Sequence, residues 1–340
     1  AAFYTSGRAS NEAAFLYQLF VRVYGSNNLP DCSNLCHEAT SRGLPETVGV
    51  GKGTVVLDDF EHADTLLLFG QNPATNHPRM LGELRDAARR GAVIVSINPL
   101  HERGLERFTS PQHPLEMLTG GSTNICSLFI CPTLGGDFAL IKAMAKRVLE
   151  LDDEAAAHGQ ERVLDCAFIA EHTSGFDAFA ADLRAESWDL LLAESGVARD
   201  KIEELTQIYV KGQAVIATWG MGVTQHKHSV ATVQILSNLM MMRGNIGKRG
   251  AGLCPVRGHS NVQGDRTMGI EEQPTKEFLD RLGLVFNFEP PRHHGYDAVG
   301  TIAAMLEKKV KVFVALGGNF SMATPDTPRT WGALRSCDLT

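Results

Sequence analysis

The sequence predicts an α/β chain built on parallel sheet. Short apolar runs of strand length alternate with stretches of helical periodicity. The strand-like runs end in small or amide residues, and 33 glycines supply many tight loops. At 340 residues the chain exceeds one average domain, so two α/β domains or one large one are expected.

In order along the chain, "TLLLFG" (65–70) reads as a buried strand. "HPRMLGELRDAARRG" (77–91) reads as an amphipathic helix, with Pro78 near its first turn and Gly91 at its end. "AVIVSINP" (92–99) is the next strand, "SLFICP" (127–132) another, and "GDFALIKAMAKRVLEL" (136–151) the helix that follows. A looser helical stretch runs from about 160 to 211. "AVIATWGMG" (214–222) restarts the strand pattern and leads into the long helix "HSVATVQILSNLMMMRG" (228–244). Residues 244–264 are glycine-rich and irregular, and "VKVFVALGGN" (310–319) is a late strand ending in glycines. There is no internal repeat and no low-complexity segment.

The totals exclude several classes. Hydrophobic residues at 44% and charged residues at 21% are ordinary for a chain with a substantial core. The net charge of -7 is mixed along the chain without a basic stripe, which argues against a nucleic-acid partner. No apolar run approaches the roughly 20 residues that span a bilayer; "ALIKAMAKRVLEL" is interrupted by Lys and Arg. Seven cysteines at irregular spacing do not make a disulfide framework, so a reducing, cytoplasmic setting is expected. The chain starts without Met inside patterned sequence and ends at "RTWGALRSCDLT", and is expected to be an excised piece of a longer protein.

Four strand ends share a character: "FGQNPATNHP", "SINP", "WGMGVTQ" and "LGGN". Ligands of open α/β sheets bind beyond the carboxyl ends of strands. Glycines there admit a backbone close to a phosphate or ring, and amides supply neutral donors and acceptors. Loops between strands and helices use glycines anyway, but four such loops together point to a large nucleotide-like ligand.

Two further places carry candidate chemistry. In "DCSNLCHEATSRGL" (31–44), Cys36 is followed at once by His37. A thiolate is a soft ligand for redox metals, and an adjacent imidazole moves protons near neutral pH. The spacing is neither that of haem attachment nor that of a zinc finger. From the residues alone the pair reads first as structural, with Cys32 a second buried thiol. In "CPVRGHSNVQG" (254–264), Arg257 has the setting of a carboxylate clamp or, equally, of an ordinary salt bridge, with Cys254 and His259 simply structural. "GNIGKRG" lacks the spacing of a phosphate-binding P-loop, no GxGxxG follows the first strand, and no GxSxG is present. His293 and His294 read as a solvated loop pair before they read as metal ligands.

Together, "FYTSGRASNEAA", "GSNNLPDCSNLCHEATSRGL", "FGQNPATNHPRML", "WGMGVTQHKHSVATVQILSNLMMMRGNIGKRGAG" and "CPVRGHSNVQG" resemble the molybdopterin oxidoreductases. The likeness is nearest to the formate dehydrogenase alpha-subunit branch and its YdeP-type members, and runs from about residue 3 to 326. It implies two Rossmann-like parallel-sheet domains, one over 32–259 and a discontinuous one over 1–31 plus 260–340. It also implies molybdenum or tungsten held by two molybdopterin guanine dinucleotides. A 4Fe-4S cluster and a cofactor-capping domain would lie in parts of the family's four-domain protein outside this chain, and the piece by itself is expected to be inactive and largely without cofactor, with loops 31–45 and 254–264 mobile or displaced.

Position by position, the resemblance makes Cys36 the metal ligand, His37 the proton acceptor beside it, and Arg257 the cation that holds a small anionic substrate, formate first. For the dinucleotides it implies Ser6, Arg8, Asn11 and Glu12 after the first strand, Gly70, Asn72 and His77 after the next, and Asn98 and Asp137 at guanosine. It further implies Gly220, Met221, Gly222 and Gln225 in the "WGMGVTQ" loop, and Gly317, Gly318, Asn319 and Asp326 for the second dinucleotide. The expected reaction is two-electron oxidation of formate to carbon dioxide, with electrons passed to an unidentified partner. The same scaffold acting on another small substrate, or a metal-free nucleotide-binding scaffold, are the alternatives.

Three departures stand out. Glu38-Ala39 follow His37 where formate dehydrogenases usually have Gly-Pro, which brings a carboxylate next to the site. Asn98-Pro99-Leu100 replaces the common Asp-Pro-Arg. The loop "RGLERFTSPQHPLEMLTGGSTN" is longer than usual.

Overall fold

The computed structural model describes residues 1–340. Its strands are β1 (Ala2–Thr5), β2 (Thr65–Phe69), β3 (Val93–Ile97), β4 (Arg107–Phe108), β5 (Thr123–Asn124), β6 (Leu128–Ile130), β7 (Val215–Trp219), β8 (Gly252–Pro255) and β9 (Phe313–Leu316). The chain divides into two compact units, Ala39–Val256 and Ala1–Glu38 with Arg257–Thr340. These junctions differ from the expected ones by a few residues, and the shift assigns Cys36, His37 and Arg257 to the discontinuous unit.

The continuous unit is built on five parallel strands in the order β6-β3-β2-β7-β8. The chain lays down β2, β3 and β6 in one direction, then returns to the other side of β2 for β7 and β8. The order therefore reverses between β2 and β7, and that is where open α/β sheets take ligands. The strands are buried on both faces, which is why they read as continuous apolar runs. Leu67, Phe69, Val95, Ile97, Val215 and Trp219 face one core. The alternate residues Leu66, Leu68, Ile94 and Ile216 face the other.

The first core is covered chiefly by the helix Asp137–Ala157, whose Leu140, Ile141, Met144 and Val148 are fully buried. Each such aliphatic side chain contributes about 1.5–3 kcal/mol by leaving water. This helix runs past the expected end at 151. The looser region resolves into helices Cys166–His172, Phe176–Ala185, Trp188–Ser195 and Arg199–Lys211, and the expected helix over 228–244 spans Ser229–Met242. The expected helix over 77–91 spans Met80–Arg90 and stops at Gly91, whose φ of 96° is a left-handed cap. Strand β8 lies inside the segment expected to be irregular: it has only four residues, begins at a glycine and ends at Pro255, as an edge strand permits.

The discontinuous unit joins β1 and β9 as a parallel pair in which Tyr4 faces Ala315. Tyr4, Ala298, Ile302, Met305, Phe313 and Phe320 form a core on one side. Phe3, Ala14, Val21, Leu29 and Ile270 form a core on the other. The buried Arg22 ties the helix Asn11–Val23 to the loop after Thr267 by donating to the carbonyls of Gly269 at 2.9 Å and Glu271 at 3.0 Å. All seven cysteines are free thiols, and no helix is long and apolar enough to cross a membrane.

Candidate functional site

In the continuous unit the loops after β2 and β7 meet at the point of reversed order. Gly222 donates its N–H to the Gly70 carbonyl at 3.2 Å. A Cβ on Gly222 would lie 2.6 Å from the Gly70 Cα, and one on Gly70, whose φ is +57°, would lie 2.8 Å from Gly222. No side chain fits between the two backbones, and the left-handed φ independently favours glycine. Asn98, at the end of β3, donates its side-chain amide to the Gln71 carbonyl at 3.2 Å, so three strand ends share one bonded rim. Asn72 caps the turn Pro73–Asn76 and donates to Glu102 at 2.7 Å. Met221 and Gln225 are exposed beyond this rim, Gly220 is buried within it, and His77 lines a cleft of about 660 Å³ with Phe60, Arg79, Arg85, Phe108 and Cys254.

Among the buried polar atoms of this unit without a hydrogen-bond partner are one each on Asp137 and Gln71. Asp137, buried at the N-terminus of its helix, has an unpaired Oδ1, and burial pushes its carboxyl up while nearby His226 opposes the shift. Gln71 accepts from the Thr218 hydroxyl at 2.9 Å, but its buried Nε2 is unpaired. Buried polar atoms are nearly always bonded, so the donor left over on Gln71, next to Gly70 in the chain, and the acceptor left over on Asp137 fit a polar ligand. Gln71 and His226 were not among the expected site residues, although both stand in amide-rich strand-end loops, the signal that should have included them.

In the discontinuous unit the ends of β1 and β9 form a second, smaller cradle. The Ser6 hydroxyl donates to the Gly317 carbonyl at 2.7 Å. Gly317 has φ +76°, and a Cβ on Gly318 would meet the Tyr4 ring at 2.7 Å. Arg8 is exposed, and its charge together with burial lowers His259. Asn11 accepts from the Asn261 amide at 2.9 Å. Glu12 is exposed in the first turn of the helix Asn11–Val23, where its own backbone N–H and Ser10 hold its carboxyl below the usual range. Asn319 and Asp326 are exposed helix caps, Asp326 accepting from the Arg329 N–H at 3.1 Å.

Cys36 and Arg257 come together in this same unit. Asp31 starts the turn Cys32–Leu35 with a capping box, its Oδ1 accepting from Ser33 at 2.9 Å while Asn34 accepts from the Asp31 N–H at 3.1 Å. That turn delivers Cys36, which is 7% exposed, and His37, which is fully buried. Burial pushes the Cys36 thiol up, and the Gly258 N–H bonded to its sulfur and the Arg257 guanidinium oppose the shift. Burial likewise lowers Arg257, and Cys36 opposes it. The two groups thus favour each other's charged forms across one small space. Cys32 accepts the Gly7 N–H at 3.1 Å and is pushed up to about 12 by burial, which makes it a structural thiol.

The same region holds charges that were not expected. Asp265 is fully buried with neither carboxylate oxygen hydrogen-bonded, and burial and Asp31 push it up to about 7. Arg266 forms ion pairs with Asp31 at 2.9 Å and with Glu38 at 2.9 Å. Nothing local in "GDRTMG" signals either role. His293 and His294 are exposed, and no group of three or more His, Cys, Asp or Glu side chains is placed to hold a metal ion.

Comparison with known proteins places the chain in a family. The family model for molybdopterin oxidoreductase matches residues 1–340. The chain is 52% identical over 337 residues to Protein YdeP of Escherichia coli K12, covering 99% of this chain and 44% of that protein. It is 31% identical over 302 residues to Formate dehydrogenase H of Escherichia coli K12, covering 86% of this chain and 38% of that protein. The chain thus spans less than half the length of these relatives. Acetylene hydratase from Pelobacter acetylenicus has a similar fold, with a TM-score of 0.70 at 16% identity over 99% of this chain and 46% of that one.

Proposed function

The chain belongs to the molybdopterin oxidoreductase family, and on that premise we propose that it is the central part of a catalytic subunit that oxidises a small anion by two electrons, formate first. The observation that carries the reading is the placement of the buried Cys36 beside the half-buried Arg257 and the Gly258 N–H. The residues fit the family's cofactor: each unit has a strand-end glycine cradle, Gln71 holds an unpaired amide nitrogen next to Gly70, and Asp137 holds an unpaired oxygen at the start of its helix. When bound, a molybdenum or tungsten bis(molybdopterin guanine dinucleotide) supplies the two-electron acceptor.

The chain's own residues would do the rest. Cys36, as thiolate, is the one protein ligand and completes a sulfur-rich metal sphere. Arg257 orients the anion and offsets its charge. Formate leaves as carbon dioxide after giving up two electrons and one proton, and His37 takes the proton. Gly70, Asn72, His77, Asn98, Asp137, Gly220, Met221, Gly222 and Gln225 would hold one dinucleotide. Ser6, Arg8, Asn11, Glu12, Gly317, Gly318, Asn319 and Asp326 would serve the other. The 4Fe-4S cluster and the electron-accepting partner belong to parts beyond this chain, and we place the whole protein in the cytoplasm.

Metal and pterin analysis of the intact full-length protein tests the class, and absence of both molybdenum and tungsten would remove it. Formate-dependent reduction of a dye tests the substrate. Replacing Arg257 by Ala is expected to lower kcat/KM for formate by about 10²–10³, and Cys36→Ala to abolish turnover. A Cys36→Ala protein with full metal content and turnover would rule out the ligand role. The second reading, another small substrate on the same scaffold, draws on Glu38, a carboxylate two residues from Cys36.

A further inference from the structure

Glu38 raises a charge problem. A carboxylate this close to Cys36 and Arg257 would oppose a second anion, yet Glu38 does not stand alone. Its Oε2 accepts from Arg266 Nη2 at 2.9 Å and from Asn34 Nδ2 at 3.4 Å. Arg266 reaches it from the short helix Val262–Thr267, just after the Arg257 loop.

Arg266 also grips the start of the same turn. Its Nη2 donates to Asp31 Oδ1 at 3.1 Å, and its Nε lies 2.9 Å from Asp31 Oδ2 as an ion-pair contact. Nη1 faces Glu272 at 3.5 Å and Glu271 at 3.8 Å. One guanidinium, 18% exposed, is thus surrounded by four carboxylates, and Asp31 is 1% exposed. Burial lowers Arg266, but these carboxylates outweigh it and leave it raised, so it is a fixed cation. Asp31 and Glu38 bracket the turn that carries Cys36 and His37, and Arg266 clamps both ends of it.

We propose that Arg266 is a positioning and specificity residue: it fixes the Asp31–Glu38 turn and cancels the charge of Glu38, so that Arg257 remains an effective anion-binding cation beside Cys36. The inference rests on the reading of Cys36 and Arg257 above. It explains how a chain with a carboxylate in this place keeps an anion site. It makes the Glu38–Arg266 pair a unit, since Glu38 without Arg266 repels anions and Arg266 without Glu38 attracts them more strongly.

The test uses the full-length protein from molybdate-depleted cells and follows alkylation of Cys36 by peptide-resolved mass spectrometry. Anionic iodoacetate and neutral iodoacetamide attack the same sulfur, so the ratio of their rates reports the local potential without needing metal or turnover. Arg266→Gln is expected to lower the iodoacetate-to-iodoacetamide ratio by about fivefold or more, the size of one uncompensated charge in a partly buried site. Adding Glu38→Gln to that variant should bring the ratio back to within about twofold of the parent. Glu38→Gln by itself should raise the ratio by about twofold or more, which keeps the test open if Arg266→Gln does not fold.

Arg266→Lys keeps the charge and loses the guanidinium nitrogen that bridges Asp31 and Glu38. Its ratio should stay near the parent's while hydrogen exchange over residues 31–38 quickens. A ratio unmoved by Arg266→Gln in a folded protein, or by Glu38→Gln alone, overturns the inference. A protein with no molybdenum or tungsten and no formate turnover would sink the proposed function but leave these ratios readable, so the two failures are distinguishable.

Discussion

The two units prepare for their ligands by different physics. Ala39–Val256 makes its cradle from backbone and neutral amides: Gly70 against Gly222, with Gln71 and Asn98 bonded around them. The discontinuous unit gathers charge: Asp31, Glu38, Arg257, Arg266 and Asp265 near two thiols. A steric cradle fails abruptly when an atom is added, because backbone has nowhere to go. A charge cluster fails by degrees, because each lost partner leaves the remaining charges to be shared or neutralised.

The largest expected effect breaks the steric side. Gly222→Ala puts a Cβ 2.6 Å from the Gly70 Cα, and should cost more than about 3 kcal/mol of stability. Pterin content of the purified full-length protein, read by fluorescence after oxidation, should fall with it. Retention of normal pterin content would mean that the two loops separate more easily than their contact implies.

A smaller effect probes the rim. Asn98→Asp removes the amide that donates to the Gln71 carbonyl and sets a carboxylate against it. Chemical denaturation should show a loss of about 1–2 kcal/mol, shrinking as the pH drops below about 4 and the new carboxyl is protonated.

The smallest effect probes the charge side. Asp265 is pushed up to about 7 and Asp31 to about 6 by burial, both above the ordinary value near 4. The folded protein then holds more protons than the unfolded chain between about pH 4 and 7, so these groups make stability fall as pH rises through that window. Asp265→Asn should flatten the fall and raise the thermal midpoint at pH 8 by about 3 °C. A variant less stable than the parent at pH 8 would mean that Asp265 is ionised and paired after all.

Much of the fold was legible because its signals are local. A strand buried on both faces must be apolar throughout, so β2, β3, β6 and β7 stood out, and the helix Met80–Arg90 carried its own stop in Gly91. Strand β8 did not stand out, since its four residues lie among glycines and owe their conformation to pairing with β7. Arg257 and Cys36 were named from resemblance, not from spacing.

By itself the sequence determined the order of strands and helices, the glycines at strand ends and the membership of Cys36-His37 in a family-like segment. Periodicity, backbone freedom and residue type are properties of neighbours in the chain. Only the tertiary structure decided that Glu38 is paired, because the arginine that meets it lies 228 residues away and also holds Asp31 across 235. Coulomb attraction depends on distance in space and on burial, and neither can be read from a sequence until the chain has folded.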